Sequence, residues 1–168
     1  MKALSVAVGR VRQVSLFAVM FCVLLVGCSG DNGRERFALA GGATVDLNQL
    51  NGRVLVVNYW AIWCAPCRHE VPELNRLAAS YRDTVQVVGF NYDKVAGQIL
   101  QQQVAELGIE FPSLVRDPAD WLGHSASGVL PETLIIAANG ELSSVLVGPQ
   151  TVETLLQAVE RARAVAEK

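Results

Sequence analysis

The fold is decided by one stretch of the chain, RVLVVNYWAIWCAPC (residues 53–67). Its first eight residues are mostly β-branched, aliphatic or aromatic, which is the pattern of a central strand covered on both faces. Two cysteines separated by two residues follow directly. Apolar residues then recur at helical spacing, and they predict a helix over residues 65–81 that Pro72 should kink.

The remaining patterns predict a sheet with both parallel and antiparallel pairs. The further predicted elements are a hairpin around Gly41-Gly42 within residues 37–50 with a helical turn at 47–50, a strand at 85–90, a helix at 95–107 ended by Gly108, a short strand at 111–115, a helical turn at 118–122, strands at 133–138 and 141–147, and a last helix capped by Thr151. The alternation of strands and helices implies parallel pairing in the first half. The dipeptide Asn139-Gly140 favours a type I′ hairpin, whose strands are antiparallel.

Composition places the chain among proteins with one buried core. It has 168 residues, of which 51% are hydrophobic and 18% are charged, so it does not have the composition of a disordered chain. The formal net charge of −2 gives no basic surface of the kind that binds phosphate backbones. We therefore expect no nucleic acid among its partners.

The first 27 residues have the features of a secretory signal peptide. Lys2, Arg10 and Arg12 precede an apolar run over residues 14–26, which is shorter than the roughly 18 residues of a membrane-spanning helix. Residues 25–28, LVGC, resemble the lipobox of bacterial lipoproteins. That resemblance implies cleavage after residue 27, a lipid on Cys28 and a tether over residues 28–36. The alternative is a plain signal peptide or a short membrane anchor with an incidental Cys28.

The cysteine count then points to a reactive pair. If Cys22 leaves with the signal peptide and Cys28 carries lipid, only Cys64 and Cys67 remain, and a disulfide this local constrains little chain. At the first turn of a helix, unpaired N–H groups and the dipole lower the pKa of Cys64, which makes it the attacking thiolate. Cys67, one turn further on, can form a disulfide with Cys64 and resolve a mixed disulfide.

A zinc site and an inert pair of buried cysteines are the alternatives for this motif. A closed zinc site needs about four ligands, usually a second cysteine pair or two histidines at a characteristic spacing. Only His69 and His124 are available, and His69 follows Cys67 too closely for that spacing. We therefore expect neither a metal nor an organic cofactor, and we interpret both histidines as surface residues.

The motif and its surroundings resemble the thioredoxin superfamily, specifically its TlpA/ResA/DsbE-like branch of extracytoplasmic thiol-disulfide oxidoreductases. The similarity lies in residues 58–67 (NYWAIWCAPC), in Pro72, in the N-terminal hairpin and in an insertion over residues 93–112. It implies an α/β fold over residues 37–168, a thioredoxin-like sandwich in which helices flank a central mixed sheet. The N-terminal β-hairpin and the central insertion are similar to the additions of that branch.

The resemblance also implies a substrate site beside the two cysteines. Leu130-Pro131, followed by Glu132-Thr133, resembles the family's cis-proline loop, in which the proline faces the cysteines and the preceding residue pairs with a substrate peptide. Without the resemblance, a trans proline that opens a strand would be the better interpretation. Trp63 matches a residue that shields the active site and touches partners, whereas Trp60 is expected to pack below it.

Glu70 is the candidate proton carrier of the site. By resemblance, cytoplasmic thioredoxin has a buried aspartate at the position of Asn58, whose amide cannot titrate. Glu70 lies three residues after Cys67 and on the same helix face, where a partly buried carboxylate accepts the Cys67 proton during exchange. The ResA-like branch implies the same role for a glutamate at this position. The alternative is a solvated surface carboxylate, which is also the expectation for Glu73.

Together these features predict a lipid-anchored thiol-disulfide oxidoreductase of the bacterial cell envelope, facing the periplasm, that reduces disulfides of exported proteins. By resemblance, a membrane electron donor of the DsbD or CcdA type restores its dithiol, and Ser29 favours the outer membrane. A DsbE-like reductant for cytochrome c maturation is the specialised alternative. A thioredoxin-fold binding module or chaperone, and a peroxidase, are the alternatives from other classes.

Overall fold

The structure, a computed structural model, describes residues 36–166 of the chain. The predicted signal peptide (1–27), the predicted lipidation site Cys28 and the tether up to residue 35 lie outside the described residues. Arg36, which the sequence assigned to the tether, is instead the first residue of a strand. Across residues 36–166, no helix combines the length and the apolar character that crossing a membrane requires.

A mixed sheet of five strands follows a separate two-stranded sheet. The elements in chain order are β1 (Arg36–Ala38), β2 (Thr44–Asp46), β3 (Val54–Trp60), α1 (Ala65–Ser80), β4 (Val85–Asn91), α2 (Gly97–Leu107), β5 (Ser113–Leu114), α3 (Ala119–Leu122), β6 (Glu132–Ile136), β7 (Leu142–Val147) and α4 (Val152–Ala166). The large sheet has the order β5-β4-β3-β6-β7, with β3, β4 and β5 parallel and with β6 and β7 antiparallel to their neighbours. The predicted α/β sandwich with an N-terminal hairpin is confirmed.

Strand β3 is the centre of the fold, and all seven of its residues are buried, as its nearly continuous apolar run predicts. Successive side chains of a strand point to opposite faces of the sheet. The apolar even-numbered residues of β3 lie in a layer that also contains both cysteines and the buried faces of α1 and α4. The odd-numbered residues lie in a second layer, which the N-terminal hairpin covers through Phe37.

Helix α1 continues through Pro72 and ends one residue before the predicted end. The predicted cap of α4 is confirmed, because Thr151 Oγ1 accepts the Thr154 N–H at 3.3 Å. Glu73 differs from its prediction as a solvated side chain: its Oε2 accepts the Val152 N–H at 2.9 Å, and its Oε1 pairs with Arg76 at 2.8 Å. Glu73 therefore joins α1 to the first turn of α4.

Two predicted turns are wrong in detail. The segment at residues 47–50 contains a plain turn and no helical turn. In the β6–β7 connection, the Ala137 N–H donates to the Glu141 carbonyl at 2.8 Å and the Gly140 N–H donates to the Ala137 carbonyl at 2.9 Å. A type I′ turn needs positive φ at both central residues, whereas Gly140 has φ 89° and Asn139 is not in the positive region. The chain forms a three-residue loop instead, with glycine at its left-handed position.

Candidate redox-active site

Cys64 and Cys67 lie at the junction between β3 and α1. Cys64 is the N-cap residue of α1, and its Sγ accepts a hydrogen bond from the Cys67 N–H at 3.2 Å. The two residues are joined in a disulfide, with their Cα atoms 5.3 Å apart, and they are only 3% and 1% exposed. An N–H of the first helical turn therefore contacts Cys64 Sγ, an arrangement that stabilises a thiolate at this position once the disulfide is reduced.

The Leu130–Pro131 peptide bond is cis and directly precedes β6. Because β6 is antiparallel to β3 with Glu132 opposite Tyr59, Pro131 lies at the same edge of the sheet as the end of β3, from which the chain leads into the cysteine pair. Leu130 packs against the hydrophobic cluster that contains both cysteines. The Pro131 carbonyl accepts the Gly148 N–H at 2.9 Å. The fold thus brings the cis-proline loop to the end of the sheet that carries the disulfide.

Glu70 lies one turn after Cys67, and its side chain is buried at 1% exposure. Its Oε2 accepts the Asn58 amide at 2.8 Å, and its Oε1 accepts the Thr133 hydroxyl and the Gln150 backbone N–H, each at 3.2 Å. Burial raises the pKa of Glu70 from 4.5 to about 7, and these three uncharged donors offset only part of that rise. The solvated alternative is excluded, and Glu70 is a buried carboxyl group that changes protonation state near neutral pH.

Two of these donors were missed by the sequence analysis. Thr133 comes from β6, and Gln150 comes from the connection between β7 and α4. The Asn58 amide also donates to Thr133 Oγ1 at 2.9 Å, so Asn58 and Thr133 are bonded to each other as well as to Glu70. The Gln150 contact joins residues 80 positions apart through a backbone N–H, and no side-chain pattern in the sequence marks it.

A second buried carboxylate lies next to Pro131. Glu132 is fully buried; its Oε1 contacts His124 Nε2 at 2.8 Å, and its Oε2 accepts the Ser127 backbone N–H at 2.7 Å and the Ser127 hydroxyl. Burial by itself raises the pKa of Glu132, but hydrogen bonds with Ser127 and His124 outweigh it and hold the pKa below its ordinary value.

The prediction that His124 is a plain surface residue is therefore wrong, since this side chain is paired with a buried carboxylate. His69, in contrast, is exposed as expected. The signal that could have revealed the Glu132 site is an acidic residue inside the apolar run at residues 130–136, since a carboxylate is almost never buried without a partner. Among residues 36–166, no three His, Cys, Asp or Glu side chains group together as potential ligands of a metal ion.

Trp63 and Trp60 have opposite surroundings. Trp60 is fully buried, as predicted, whereas Trp63 is 62% exposed directly before Cys64. The indole N–H of Trp63 donates to the Asp93 carboxylate, with distances of 2.9 and 3.2 Å to its two oxygens. A large aromatic surface is thus available to solvent beside the disulfide.

Comparison with known proteins identifies the family. The AhpC/TSA family profile matches residues 35–145. The thiol:disulfide interchange protein HelX of Rhodobacter capsulatus is 32% identical over 117 residues, which cover 68% of this chain and 64% of HelX. The thiol-disulfide oxidoreductase ResA of Bacillus anthracis is 28% identical over 115 residues, which cover 68% of this chain and 66% of ResA. The matched segment spans just under two thirds of the length of these curated relatives.

A solved structure agrees with these matches. The crystal structure of a DsbF homologue from Corynebacterium diphtheriae is 27% identical, with a TM-score of 0.65, and the match covers 75% of this chain and 82% of that chain. The chain therefore belongs to the AhpC/TSA family, in which it has the thioredoxin-like fold and is related to the thiol-disulfide oxidoreductases ResA and HelX.

Proposed function

We propose that the protein is a thiol-disulfide oxidoreductase that reduces disulfides of exported proteins in the bacterial cell envelope. The observation that carries this proposal is the buried disulfide between Cys64 and Cys67 at the N-terminus of α1, with the buried carboxyl group of Glu70 one turn behind it. The names of the relatives HelX and ResA support the same chemistry.

The reaction uses only the thiols of the protein and the disulfide of the substrate. The Cys64 thiolate of the reduced protein attacks one substrate sulfur, a mixed disulfide forms, and the other substrate sulfur leaves as a thiolate. The Cys67 thiolate then attacks Cys64 Sγ, which closes the Cys64–Cys67 disulfide and releases the second substrate sulfur. Two electrons pass to the substrate, whose two sulfurs take up protons and end as thiols.

Glu70 handles the proton of Cys67 in this scheme. Cys67 is 1% exposed in the disulfide form, so its thiol has little access to solvent bases. A carboxyl group whose pKa burial raises to about 7 accepts a proton near neutral pH and returns it readily. The hydrogen bonds from Asn58, Thr133 and Gln150 hold that group one turn from Cys67.

The substrate site is proposed to consist of Trp63, Leu130 and Pro131. Leu130 packs against the cluster that contains the cysteines, and Trp63 is largely exposed beside Cys64. Val129, directly before Leu130, is 56% exposed. Exposed apolar side chains next to the disulfide suit an unfolded or extended segment of a substrate protein, whose own apolar residues they can cover.

The proposal includes attachment to the membrane through a lipid on Cys28 and reduction by a membrane donor of the DsbD or CcdA type. Its support is the signal-peptide pattern of residues 1–27 and the lipobox resemblance; Ser29 favours the outer membrane. We expect the wild-type chain in the membrane fraction of a bacterial envelope and the Cys28→Ala variant in the soluble fraction. Recovery of the wild-type chain in the soluble fraction would contradict lipid attachment.

A DsbE-like role in cytochrome c maturation is a narrower form of the same function. The sequence Pro131-Glu132-Thr133 favours it, because it resembles the corresponding loop of that group. An oxidised peptide that contains the haem-attachment sequence Cys-x-x-Cys-His tests it. Reduction of that peptide with a much higher kcat/KM than a general protein disulfide would support this role, and equal values would contradict it.

Reduction of insulin disulfides, with dithiothreitol as the electron source, tests the main proposal. We expect turnover above the uncatalysed rate by the wild type and none by Cys64→Ser. Pre-reduced Cys67→Ser, mixed with insulin after removal of dithiothreitol, should form a trapped mixed disulfide, because only Cys64 attacks the substrate. A reduction potential near or below the ~−270 mV of thioredoxin supports a reductase, whereas a value near ~−120 mV would reverse the direction of electron flow. A wild-type protein that binds insulin without turnover would favour the binding module instead.

A further inference from the structure

We propose that Asp93 is a positioning residue that fixes the Trp63 indole beside the disulfide, in the orientation in which Trp63 binds substrate. This inference rests on the proposed function, because it gives Trp63 a place in substrate binding. Both oxygens of the Asp93 carboxylate lie within hydrogen-bond distance of the indole N–H, at 2.9 and 3.2 Å. Trp63 is 62% exposed, and its hydrogen bond to Asp93 restrains the orientation of the indole.

The contact between Trp63 and Asp93 follows from the topology of the sheet. Strands β3 and β4 are parallel, and Trp60 at the end of β3 is opposite Asn91 at the end of β4. The Tyr92 N–H donates to the Trp60 carbonyl at 2.8 Å, which continues the pairing beyond the strands. Trp63 and Asp93 follow these strand ends by three and two residues. Their side chains therefore meet at the carboxyl edge of the sheet, where the cysteine pair lies.

Asp93 is itself held in place by buried groups. Its backbone N–H donates to Asn91 Oδ1 at 2.9 Å, and Asn91 is fully buried. The Asn91 amide donates in turn to Gln103 Oε1 on α2 at 2.7 Å. A carboxylate whose backbone is anchored to both the sheet and α2 provides a fixed acceptor, whereas a carboxylate on a mobile loop would move with the indole.

Arg68 makes a second contact with the segment that carries Trp63, residues 61–64. Arg68 Nη2 donates to the Ile62 carbonyl at 3.0 Å and pairs with Glu106 of α2 at 3.3 Å. The exposed ion pair contributes little by itself. Asp93 and Glu106 both belong to the insertion at residues 93–112. The insertion is thus linked to the segment at residues 61–64 in two ways. Glu106 pairs with Arg68, which bonds the Ile62 carbonyl, and Asp93 bonds the Trp63 side chain. Only the contact with Asp93 sets the orientation of the indole.

A side chain that is already ordered loses less conformational entropy when a substrate binds. Removal of the Asp93 carboxylate should therefore weaken binding of a protein disulfide without changing the chemistry at the sulfurs. We expect Asp93→Ala to raise the KM for insulin about 5-fold, with kcat and the reduction potential of the cysteine pair unchanged. Asp93→Asn, which keeps one acceptor oxygen for the indole N–H, should restore most of the wild-type KM.

A double-mutant cycle separates the hydrogen bond from a general charge effect. Phenylalanine has no indole N–H, so Asp93→Ala should raise KM in the wild type and have no further effect in the Trp63→Phe background. Glu141→Gln is the matched control, since it removes one negative charge in the exposed turn at the opposite end of β6 from Pro131. An equal rise in KM in the Trp63→Phe background, or with Glu141→Gln, would overturn the positioning role.

A spectroscopic readout on the full chain makes the inference independent of turnover. The chain has three tryptophans, so a ¹⁵N spectrum should contain three indole N–H resonances, and Trp63→Phe identifies one of them. We expect Asp93→Ala to shift that resonance. An unshifted resonance would overturn the contact, whatever the activity. A shifted resonance with unchanged KM would overturn the positioning role and leave the proposed function intact. Absence of turnover by the wild type would overturn the proposed function, and this inference with it.

Discussion

Two buried glutamates at the start of β6, Glu132 on the strand and Glu70 bonded to its Thr133, differ in the state of their carboxyl groups. Glu70 and Glu132 are both at most 1% exposed, so burial opposes the charged form of each. The partners of Glu70 are three uncharged donors, and its pKa rises to about 7. The partners of Glu132 are His124 and Ser127, and they hold its pKa below the ordinary value. Hydrogen bonds with Ser127 and His124 outweigh the cost of burying the charge of Glu132, whereas the three donors to Glu70 offset only part of that cost.

The two sites are neighbours in the sequence but lie on opposite faces of the sheet. Thr133 donates to Glu70, and Glu132 directly precedes it on β6, where successive side chains alternate between faces. On one face of β6, Thr133 donates to Glu70, whose carboxyl group has a pKa of about 7. The other face holds a fixed anion that ties residues 124–127 to the sheet, just before the cis-proline loop. The proposed proton carrier, Glu70, and the residue that anchors the loop, Glu132, therefore lie on opposite faces of the sheet.

The largest effect is expected from removal of the fixed anion. Glu132→Ala leaves His124 without its carboxylate partner and the Ser127 N–H without its acceptor, because both contacts end on Glu132. Each hydrogen bond to a charged group contributes about 1.5 to 3 kcal/mol to the unfolding free energy, so the loss of the contacts with both residues should cost about 3 kcal/mol or more. Urea denaturation of the disulfide form at pH 7 measures it. A loss below about 1 kcal/mol would show that Glu132 does not anchor the loop.

His124→Gln is the matched variant for that experiment. Glutamine supplies a neutral donor in place of the imidazole, so the surroundings of Glu132 come to resemble those of Glu70. The loss of stability should then be smaller than with Glu132→Ala, and the pKa of Glu132, followed by ¹³C resonances of its carboxyl group, should rise. An unchanged pKa would mean that the two contacts from Ser127 suffice to keep the carboxylate charged.

The strands and helices were predicted from the sequence more accurately than the turns that connect them. The apolar run of β3, the helical spacing after Cys67 and the cap at Thr151 are local patterns, and local patterns determine where strands and helices form. The parallel and antiparallel order of the large sheet followed from the same patterns. The type I′ turn failed because Asn139-Gly140 also suits a three-residue loop, and the choice depends on how the flanking strands pair.

The partners of the buried carboxylates could not be predicted in the same way. Glu73 and His124 were interpreted as surface residues because charged side chains are usually exposed. In the structure Glu73 accepts a hydrogen bond from a backbone N–H 79 residues away, and His124 contacts the buried carboxylate of Glu132. Such contacts depend on which segments the tertiary fold brings together. The acidity of residue 132 within an apolar strand was the one local sign that a buried ionic contact was present.

A smaller effect, which appears only as a pH dependence, is expected at Glu70. Its pKa is raised from 4.5 to about 7 in the folded state, so the neutral form fits the site better than the charged form. The stabilisation from the neutral form is complete below about pH 4.5 and is lost as the pH rises towards 7. Glu70→Gln, which is neutral throughout, should not show this loss. The wild type should therefore lose about 3 kcal/mol relative to the variant over this interval.

Urea denaturation of the disulfide form from pH 4 to pH 8 provides the measurement, and Glu153→Gln, at an exposed position in the first turn of α4, is the control. The difference in unfolding free energy between wild type and Glu70→Gln should change between pH 4.5 and 7 and stay constant above about pH 7.5. The rate of insulin reduction should lose its inflection near pH 7 in the same variant, because Cys67 no longer has this proton acceptor. If the plots of unfolding free energy against pH were parallel for wild type and Glu70→Gln, and the pH dependence of the rate were the same, Glu70 would be charged throughout this range. Glu70 and Glu132 would then not differ in protonation.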